Sequence, residues 1–549
     1  MLSIHRKYVE EELDERGYIK NYRLVCPDHF NFAYDIVDEI ASYEPERKAL
    51  MWCDPAGNEK VFTYGELKYY SDKTANLFKS KGIGKGDMVM AILKRHYQFW
   101  FVILALHKLG SVVIPATFLL TAHDFVYRAN AAGVKAVVCT GQGNVAAQID
   151  EALPECPTVR MKMMVNGSRD GWEDFMTLME AADSNFPRVE TKAAEPMLLY
   201  FSSGTTGNPK MALHDYRYAL AHLTTAKYWQ NVQPDGLHLT IADTGWGKAA
   251  WGKLYGQMFL ESCVFVYDFD KFVPAEILAL IEKYSITSLC CPPTMFRFLL
   301  QEDIKRFDLK SLKYCTIAGE ALNPDVFNNW YKLTGIKLME GFGQTETTVL
   351  IANLTGSEPK PGSMGKPVPH YDVDIVDDDG VSVETGVTGE VIVRTERGAP
   401  MGLFMCYYRD ENKTHEAWHD GLYHTGDTAW KDEDGYFWYV GRTDDIIKSS
   451  GYRIGPFEIE SVLVEHPAVM ECAVTGVPDE LRGNLVKATV VLKKGYEPSE
   501  ELKKELQDYV KKVTAPYKYP RIIEFVSELP KTVNGKIRRV EIRNRQPEN

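Results

Sequence analysis

Tyr200-Phe-Ser-Ser-Gly-Thr-Thr-Gly-Asn-Pro-Lys210 decides how the chain is read. The apolar run 197–201 that leads into it has the length and bounds of a buried strand. That strand empties into a loop dense in hydroxyls and glycines and closed by a lysine. Gly204 and Gly207 allow such a loop to turn several backbone N–H groups toward one point. Ser202, Ser203, Thr205 and Thr206 add hydroxyl donors, and Lys210 adds a mobile positive charge. Donors and charge at this density suit a polyphosphate. The loop is not of the G-x-x-x-x-G-K-[ST] type, because its two glycines are too close together and Pro209 precedes the lysine.

The rest of the chain sets the scale. Its 549 residues are too many for one hydrophobic core, so several structural units are expected. Apolar residues make up 45% and charged residues 25%, the balance of an ordinary globular protein. A net charge of −13 argues against nonspecific nucleic-acid binding. The ten cysteines form no C-x-x-C pair, which argues against a zinc site and favours a reducing compartment over a disulfide framework. The acidic stretch 1–16 has no apolar core and does not look like a basic transit peptide. The greasiest run, 99–106, falls far short of the ~20 residues a membrane span needs. A cytoplasmic protein without stable membrane insertion is expected.

Helical and strand patterns alternate from Thr63 onward, as in doubly wound α/β folds with parallel sheets. Residues 238–242, 284–293 and 314–320 repeat the strand-to-loop pattern of 197–210. In open α/β sheets ligands gather at those carboxyl ends, so the loops 202–210, 318–321 and 341–346 are expected around one cleft. Segments 372–380 and 389–394 read instead as antiparallel strands of a small β-barrel-like subdomain spanning about 365–440. The acidic run 377–379 reads as a solvated turn. Beyond 441–451 the periodicity restarts and makes a small α+β unit. The expected organisation is a large domain, 1–443, followed by a mobile C-terminal domain, 444–549.

Further clusters carry chemistry. In Glu340-Gly-Phe-Gly-Gln-Thr-Glu346, Gly341 and Gly343 let a flat ligand approach the backbone and Phe342 offers a stacking face. Glu346 supplies a carboxylate able to hold a hard cation such as Mg²⁺ against phosphates. Asp427, in Tyr423-His-Thr-Gly-Asp427, is a turn carboxylate suited to both hydroxyls of a ribose.

These strings, in this order, resemble the signature motifs of the acyl-adenylate-forming (ANL) superfamily, which includes acyl-CoA synthetases, luciferases and peptide-synthetase adenylation domains. The resemblance covers nearly the whole chain and is strongest to medium-chain acyl-CoA synthetases. It implies that Ser202, Ser203, Gly204, Thr205, Thr206, Gly207 and Lys210 hold the phosphates of ATP, and that Gly319, Glu320 and the stretch Glu340, Gly341, Phe342, Gly343, Gln344 and Thr345 line the adenylate. It further implies that Asp427 and Arg442 hold the ribose, that Arg453 supports the phosphates or the hinge, and that Asp444 is that hinge. Lys536, in Leu529-Pro-Lys-Thr-Val-Asn-Gly-Lys536, matches the lysine that enters the cleft during adenylation. Lys536, Thr206, Glu346 and Lys210 are the implied catalytic set, with Glu346 as the metal ligand.

The implied reaction consumes ATP, Mg²⁺ and coenzyme A. A carboxylate attacks the α-phosphorus, and the CoA thiol then attacks the acyl-AMP. Such a reaction needs placement and charge stabilisation and no protein nucleophile. Ser450, Gly451, Tyr452, Arg482 and Lys511 are the candidate CoA contacts. Trp246, Gly247, Lys248, Trp251 and Gly343 are the candidate acyl pocket. Acetate-selective relatives carry a tryptophan where this chain has Gly343, so an opened pocket and a short- to medium-chain acid, propionate- to octanoate-sized, or a branched acid are expected in preference to acetate. Two rivals stay open on sequence grounds: an adenylating ligase with a non-CoA acceptor such as a carrier protein, and a nonenzymatic adenylate-binding module. Oligomeric state stays open too, a homodimer included.

Overall fold

In the computed structural model the described residues are 4–202, 208–450, 452–531 and 537–544. Two large sheets dominate. The first runs Cys406–Tyr407, Lys210–Asp215, Pro196–Ser202, Val112–Pro115, Met88–Ile92, Ala136–Cys139, Met161–Met164, Glu173–Asp174. The second runs Lys366–Pro367, Val349–Ala352, Leu338–Gly343, Tyr314–Ile317, Ser288–Cys290, Leu237–Thr240, Cys263–Tyr267, Lys48–Cys53, Glu59–Thr63. The central strands of both are parallel; antiparallel strands close both edges of the second sheet and one edge of the first, whose other edge strand, Glu173–Asp174, is parallel. This is the doubly wound α/β architecture expected from the alternation.

The alternation of side chains sorts the layers. Along Met88–Ile92, Val89 and Ala91 join one core cluster while Met88, Met90 and Ile92 join another. Along Cys263–Tyr267, Val264 and Val266 join that same first cluster, and Phe265 and Tyr267 face a third. The first cluster therefore lies between the sheets. Helix Gln98–Leu109 runs through it and is buried on every side, which explains its nearly continuous apolar sequence. Its one buried lysine, Lys108, is neutralised by Asp72 at 2.6 Å and Asp38 at 2.8 Å. The helix expected after Thr63 is Tyr64–Ser80, started by a capping box between Thr63 and Glu66.

Two local expectations shift. The strand expected across 284–293 is only Ser288–Cys290, because Tyr284 ends a helix capped at Ser285 with φ of 53°. The apolar run before Glu340 continues as strand Leu338–Gly343, so both glycines of that motif are strand residues. The antiparallel subdomain is a sheet of Val373–Val376, Gly389–Arg394, Leu422–Lys431, Trp418–His419 and Phe437–Arg442. Its outer strands Val373–Val376 and Phe437–Arg442 are not paired with each other.

The C-terminal unit has its own core, drawn from residues between Ile447 and Ile523. Helices Pro456–Glu465 and Glu500–Val513 cover a sheet of Val469–Asp479, Gly483–Leu492 and Ile522–Phe525. It leans on the large domain, where Tyr439 meets Phe457 edge-on and Asn323 Nδ2 donates to the Ser461 carbonyl at 3.3 Å.

One contact pins the substrate loop of the second sheet onto the first. The Thr244 N–H donates to the Lys94 carbonyl at 3.0 Å. A Cβ at Gly245 would lie 2.4 Å from the Ala116 carbonyl carbon and the Thr117 nitrogen. Gly245→Ala is therefore expected to lower stability by about 1–3 kcal/mol, read as a lower midpoint of urea unfolding.

Candidate active site

The cleft forms where strands of both sheets end. Pro196–Ser202 delivers Ser202, and Leu338–Gly343 delivers Gln344 through Glu346. Ser202 Oγ donates to Glu346 Oε1 at 3.2 Å, so the phosphate loop's first hydroxyl and the expected metal ligand meet directly. Glu346 is buried and takes a second donor on the same oxygen, the Tyr407 hydroxyl at 2.9 Å. Lys210 pairs with Ser202 across the loop's two strands, its ammonium 4.8 Å from the Tyr407 ring centroid. Ser203, Gly204, Thr205, Thr206, Gly207, Gly451 and Lys536 lie outside the described residues.

Gln344 links this corner to the ribose-binding candidates. Its Nε2 donates to Asp427 Oδ2 at 2.5 Å and to the Thr425 carbonyl at 2.7 Å, while its Oε1 accepts from the Tyr423 hydroxyl at 2.7 Å. Asp427 also accepts from the Tyr439 hydroxyl at 3.1 Å and faces Arg442 at 3.6 Å. Burial alone would lower the pKa of Arg442, but the charges of Asp427 and Asp444 outweigh it and hold the guanidinium firmly charged. Thr345 is fixed from behind by His214, whose Nε2 donates to its carbonyl at 2.8 Å. Burial pushes the His214 pKa down to about 3, so that ring stays neutral.

Among the candidate adenine-lining residues, Phe342 faces Tyr439 with ring centroids 6.3 Å apart, and Gly319 and Glu320 lie in the loop after Tyr314–Ile317. There Gly319 takes φ of 101°, and Glu320 accepts from the Thr294 hydroxyl at 2.6 Å. Glu340 turns inward instead. It is fully buried beneath the motif, accepting weakly from the Leu322 N–H at 3.3 Å, and burial raises its pKa to about 8. It supports the nucleotide loops from below.

The acyl-pocket residues correct one expectation. Gly343 does not leave a void, because a Cβ there would lie 2.5 Å from Trp251 Cη2 and 2.4 Å from the Thr348 carbonyl oxygen. The Trp251 indole occupies the space that a side chain at 343 would fill. A second indole, Trp229, lies against Gly341 and meets Trp251 edge-to-face at 5.9 Å. Trp246 precedes helix Gly247–Lys253, which carries Trp251. Lys248 Nζ donates to the Ala318 carbonyl at 2.8 Å, tying the substrate loop to the adenine-side loop.

The CoA candidates are only partly brought together. Ser450 and Arg482 form a pair, the Ser450 N–H donating to the Arg482 carbonyl at 2.8 Å and the guanidinium to Ser450 Oγ at 3.3 Å. Tyr452 stacks on Tyr517 at 4.0 Å. Lys511 is ion-paired with Asp508 at 2.9 Å and lies over the Tyr519 ring. Among the described residues no hydrogen bond joins it to Ser450 or Arg482. Asp444 is exposed, 3.6 Å from Arg442 Nε. Its neighbour Asp445 is clamped by Arg543 at 2.7 Å. Arg453 pairs with Lys448 through the backbone of the Ile447–Ile454 hairpin.

Sequence reasoning missed Tyr407, Tyr423, Tyr439 and Trp229. Tyr423 opens a quoted motif and Tyr439 falls just before Arg442, so proximity to a motif was the available signal for both. Tyr407 and Trp229 reach the cleft only through tertiary pairing.

Residues 37–408 match the AMP-binding enzyme family, and 458–536 match the C-terminal domain of AMP-binding enzymes. The chain belongs to the AMP-binding enzyme family. It is 43% identical to human mitochondrial acyl-coenzyme A synthetase ACSM5 over 534 residues, 95% of this chain and 92% of that one. Identity to the mouse mitochondrial acyl-coenzyme A synthetase ACSM3 is 40% over 537 residues, 96% and 92% of the two chains. Among solved structures, the anthranilate CoA ligase AuaEII with anthranoyl-AMP superposes with a TM-score of 0.86 at 28% identity, covering 94% of this chain and 97% of that one. A benzoate CoA ligase from Burkholderia xenovorans LB400 gives 0.82 at 26% identity, covering 94% and 100%.

The buried Glu340 generates a pH prediction. Well below pH 4.5 the carboxyl is protonated in both states, and at pH 4.5 the unfolded chain has released only half of its protons. Between pH 4.5 and about 8 only the unfolded chain releases its proton, so the native state loses stability as pH rises. Glu340→Gln, which keeps the shape and removes the titration, is expected to melt at a higher temperature than the parent near pH 8 and at nearly the same temperature near pH 4.5.

Proposed function

We propose that this protein is an AMP-forming acyl-CoA synthetase that activates a medium-chain or branched carboxylic acid. The observation that carries the reading is a pair of hydrogen-bonded sets, Tyr407–Glu346–Ser202 and Tyr423–Gln344–Asp427 with Arg442 beside Asp427, joined by the short backbone from Gln344 to Glu346. Their closeness supports reading Ser202 and Glu346 as phosphate-facing groups and Asp427 and Arg442 as ribose-facing groups of one cleft. Its hydroxyls, carboxylates and guanidinium suit ATP, and its buried carboxylate at Glu346 is the hard oxygen donor that Mg²⁺ prefers. When bound there, Mg²⁺ would neutralise phosphate charge.

In the first step the acid's carboxylate oxygen attacks the α-phosphorus, the bond to the β-phosphate breaks, and acyl-AMP and pyrophosphate form. Arg442 and Asp427 hold the nucleoside in register, and Lys210 faces the phosphates. Lys536 enters on its motif alone. In the second step the CoA sulfur attacks the acyl carbonyl, AMP leaves with the bonding pair, and the thiol proton passes to solvent. One site serving two reactions in turn requires the C-terminal domain to move, and exposed Asp444 between two well-packed units supports a hinge there. Ten free cysteines support the cytoplasmic, reducing location read from the sequence.

Chain length rests on the two indoles. Trp251, buried against Gly343, sets the depth available to an acyl chain. Trp251→Ala is expected to move the preferred acid to longer chains, with each newly buried CH₂ worth about fourfold in kcat/KM. Lys248→Ala is expected to lengthen the preferred acid as well, because the ammonium that links the loops at Ala318 is lost. Both profiles come from one assay, pyrophosphate and AMP release with acids from acetate to dodecanoate plus branched acids, with and without CoA. The expected result for the parent is CoA-dependent turnover that peaks above acetate. Pyrophosphate release indifferent to CoA would point to another acceptor, and a peak at acetate would overturn the chain-length reading.

A further inference from the structure

The segment 404–408 belongs to no motif read from the sequence, yet it grips the centre of the cleft. Its strand Cys406–Tyr407 pairs with the strand leaving the phosphate loop, Tyr407 opposite Ala212 and Cys406 opposite Leu213. Three residues earlier the Phe404 N–H donates to the Glu346 carbonyl oxygen at 2.8 Å. Glu346 is thus held twice from one short segment, by backbone at Phe404 and by side chain at Tyr407. Tyr407 is itself buried, its ring 4.9 Å from that of Phe404 and beneath the Lys210 ammonium.

Both donors, Tyr407 and Ser202, converge on Oε1 of Glu346, and neither holds Oε2. A carboxylate fixed through one oxygen keeps a single orientation of the other. We infer that Tyr407 is a positioning residue for cation binding: its hydroxyl, together with Ser202, holds Glu346 so that Oε2 is the oxygen offered to a divalent cation carried by the nucleotide. The inference rests on the reading of Glu346 as the metal ligand given above. Hydrogen-bonded partners of a ligating carboxylate typically contribute 10–100-fold to metal affinity.

The test measures binding rather than turnover. Isothermal titration of the full-length protein with α,β-methylene-ATP, at a series of free Mg²⁺ concentrations, gives the Mg²⁺ concentration for half-maximal analogue affinity. Titration with AMP in the absence of Mg²⁺ gives the metal-independent affinity. Tyr407→Phe is expected to raise the Mg²⁺ midpoint about tenfold and leave AMP affinity within about twofold. Ser202→Ala is expected to shift the midpoint in the same direction by less, and decides the matter should Tyr407→Phe fail to fold. Glu346→Gln is expected to abolish the Mg²⁺ dependence. An unchanged midpoint in Tyr407→Phe beside a lost dependence in Glu346→Gln would overturn the role of Tyr407 alone. Unchanged dependence in Glu346→Gln would overturn the metal-ligand reading and the inference with it. Parallel loss of AMP affinity in Tyr407→Phe would show a general packing role and also overturn it.

Discussion

The side-chain amide of Gln344 joins the parts that must act together. Its nitrogen holds Asp427 and the Thr425 carbonyl, and its oxygen holds the Tyr423 hydroxyl. Gln344 directly follows a strand of the second sheet, and its amide meets the antiparallel subdomain. Two residues on, Glu346 reaches Ser202 of the first sheet. Three separately folded surfaces thus meet within a span of three residues. Shortening that amide or turning it over would leave buried donors and acceptors unmatched, which costs more than the bond itself contributes.

The candidate nucleotide-binding residues are tied together by side-chain hydrogen bonds. Gly341 and Gly343 admit Trp229 and Trp251 so closely that neither indole has room to approach further. The acyl-pocket candidates are bounded by the two indoles and, at Gly343, by the Thr348 carbonyl. A change at either tryptophan alters volume without touching the network around Gln344. The aromatic packing lies apart from the hydrogen bonds around Gln344. It also explains why Gly343, read in isolation, suggested an open pocket: a missing side chain makes space only when no neighbour fills it.

Much of this was legible in the sequence because local pattern and function coincide. The period-2 strands, the capping box at Thr63 and the C-terminal helices Pro456–Glu465 and Glu500–Val513 all follow rules that act within a few residues. Asp427, Arg442, Gln344 and Glu346 were found because their strings are distinctive, and they do assemble. The inward turn of the Glu340 side chain was not legible, because a motif does not reveal which of its side chains is buried. Tyr407 was missed because its role depends on pairing with Ala212, almost two hundred residues earlier, and nothing local marks it. Lys248 could be placed only once Ala318 was seen beside it.

The claim that a carboxylate attacks the α-phosphorus of ATP can be tested at the level of single atoms. The acid is supplied with both carboxyl oxygens as ¹⁸O, CoA and ATP are added, and the AMP and pyrophosphate are analysed by mass spectrometry. Acyl-adenylate chemistry predicts one ¹⁸O in each AMP formed and none in pyrophosphate. Unlabelled AMP, or label in phosphate or pyrophosphate, would contradict it and require a different first step.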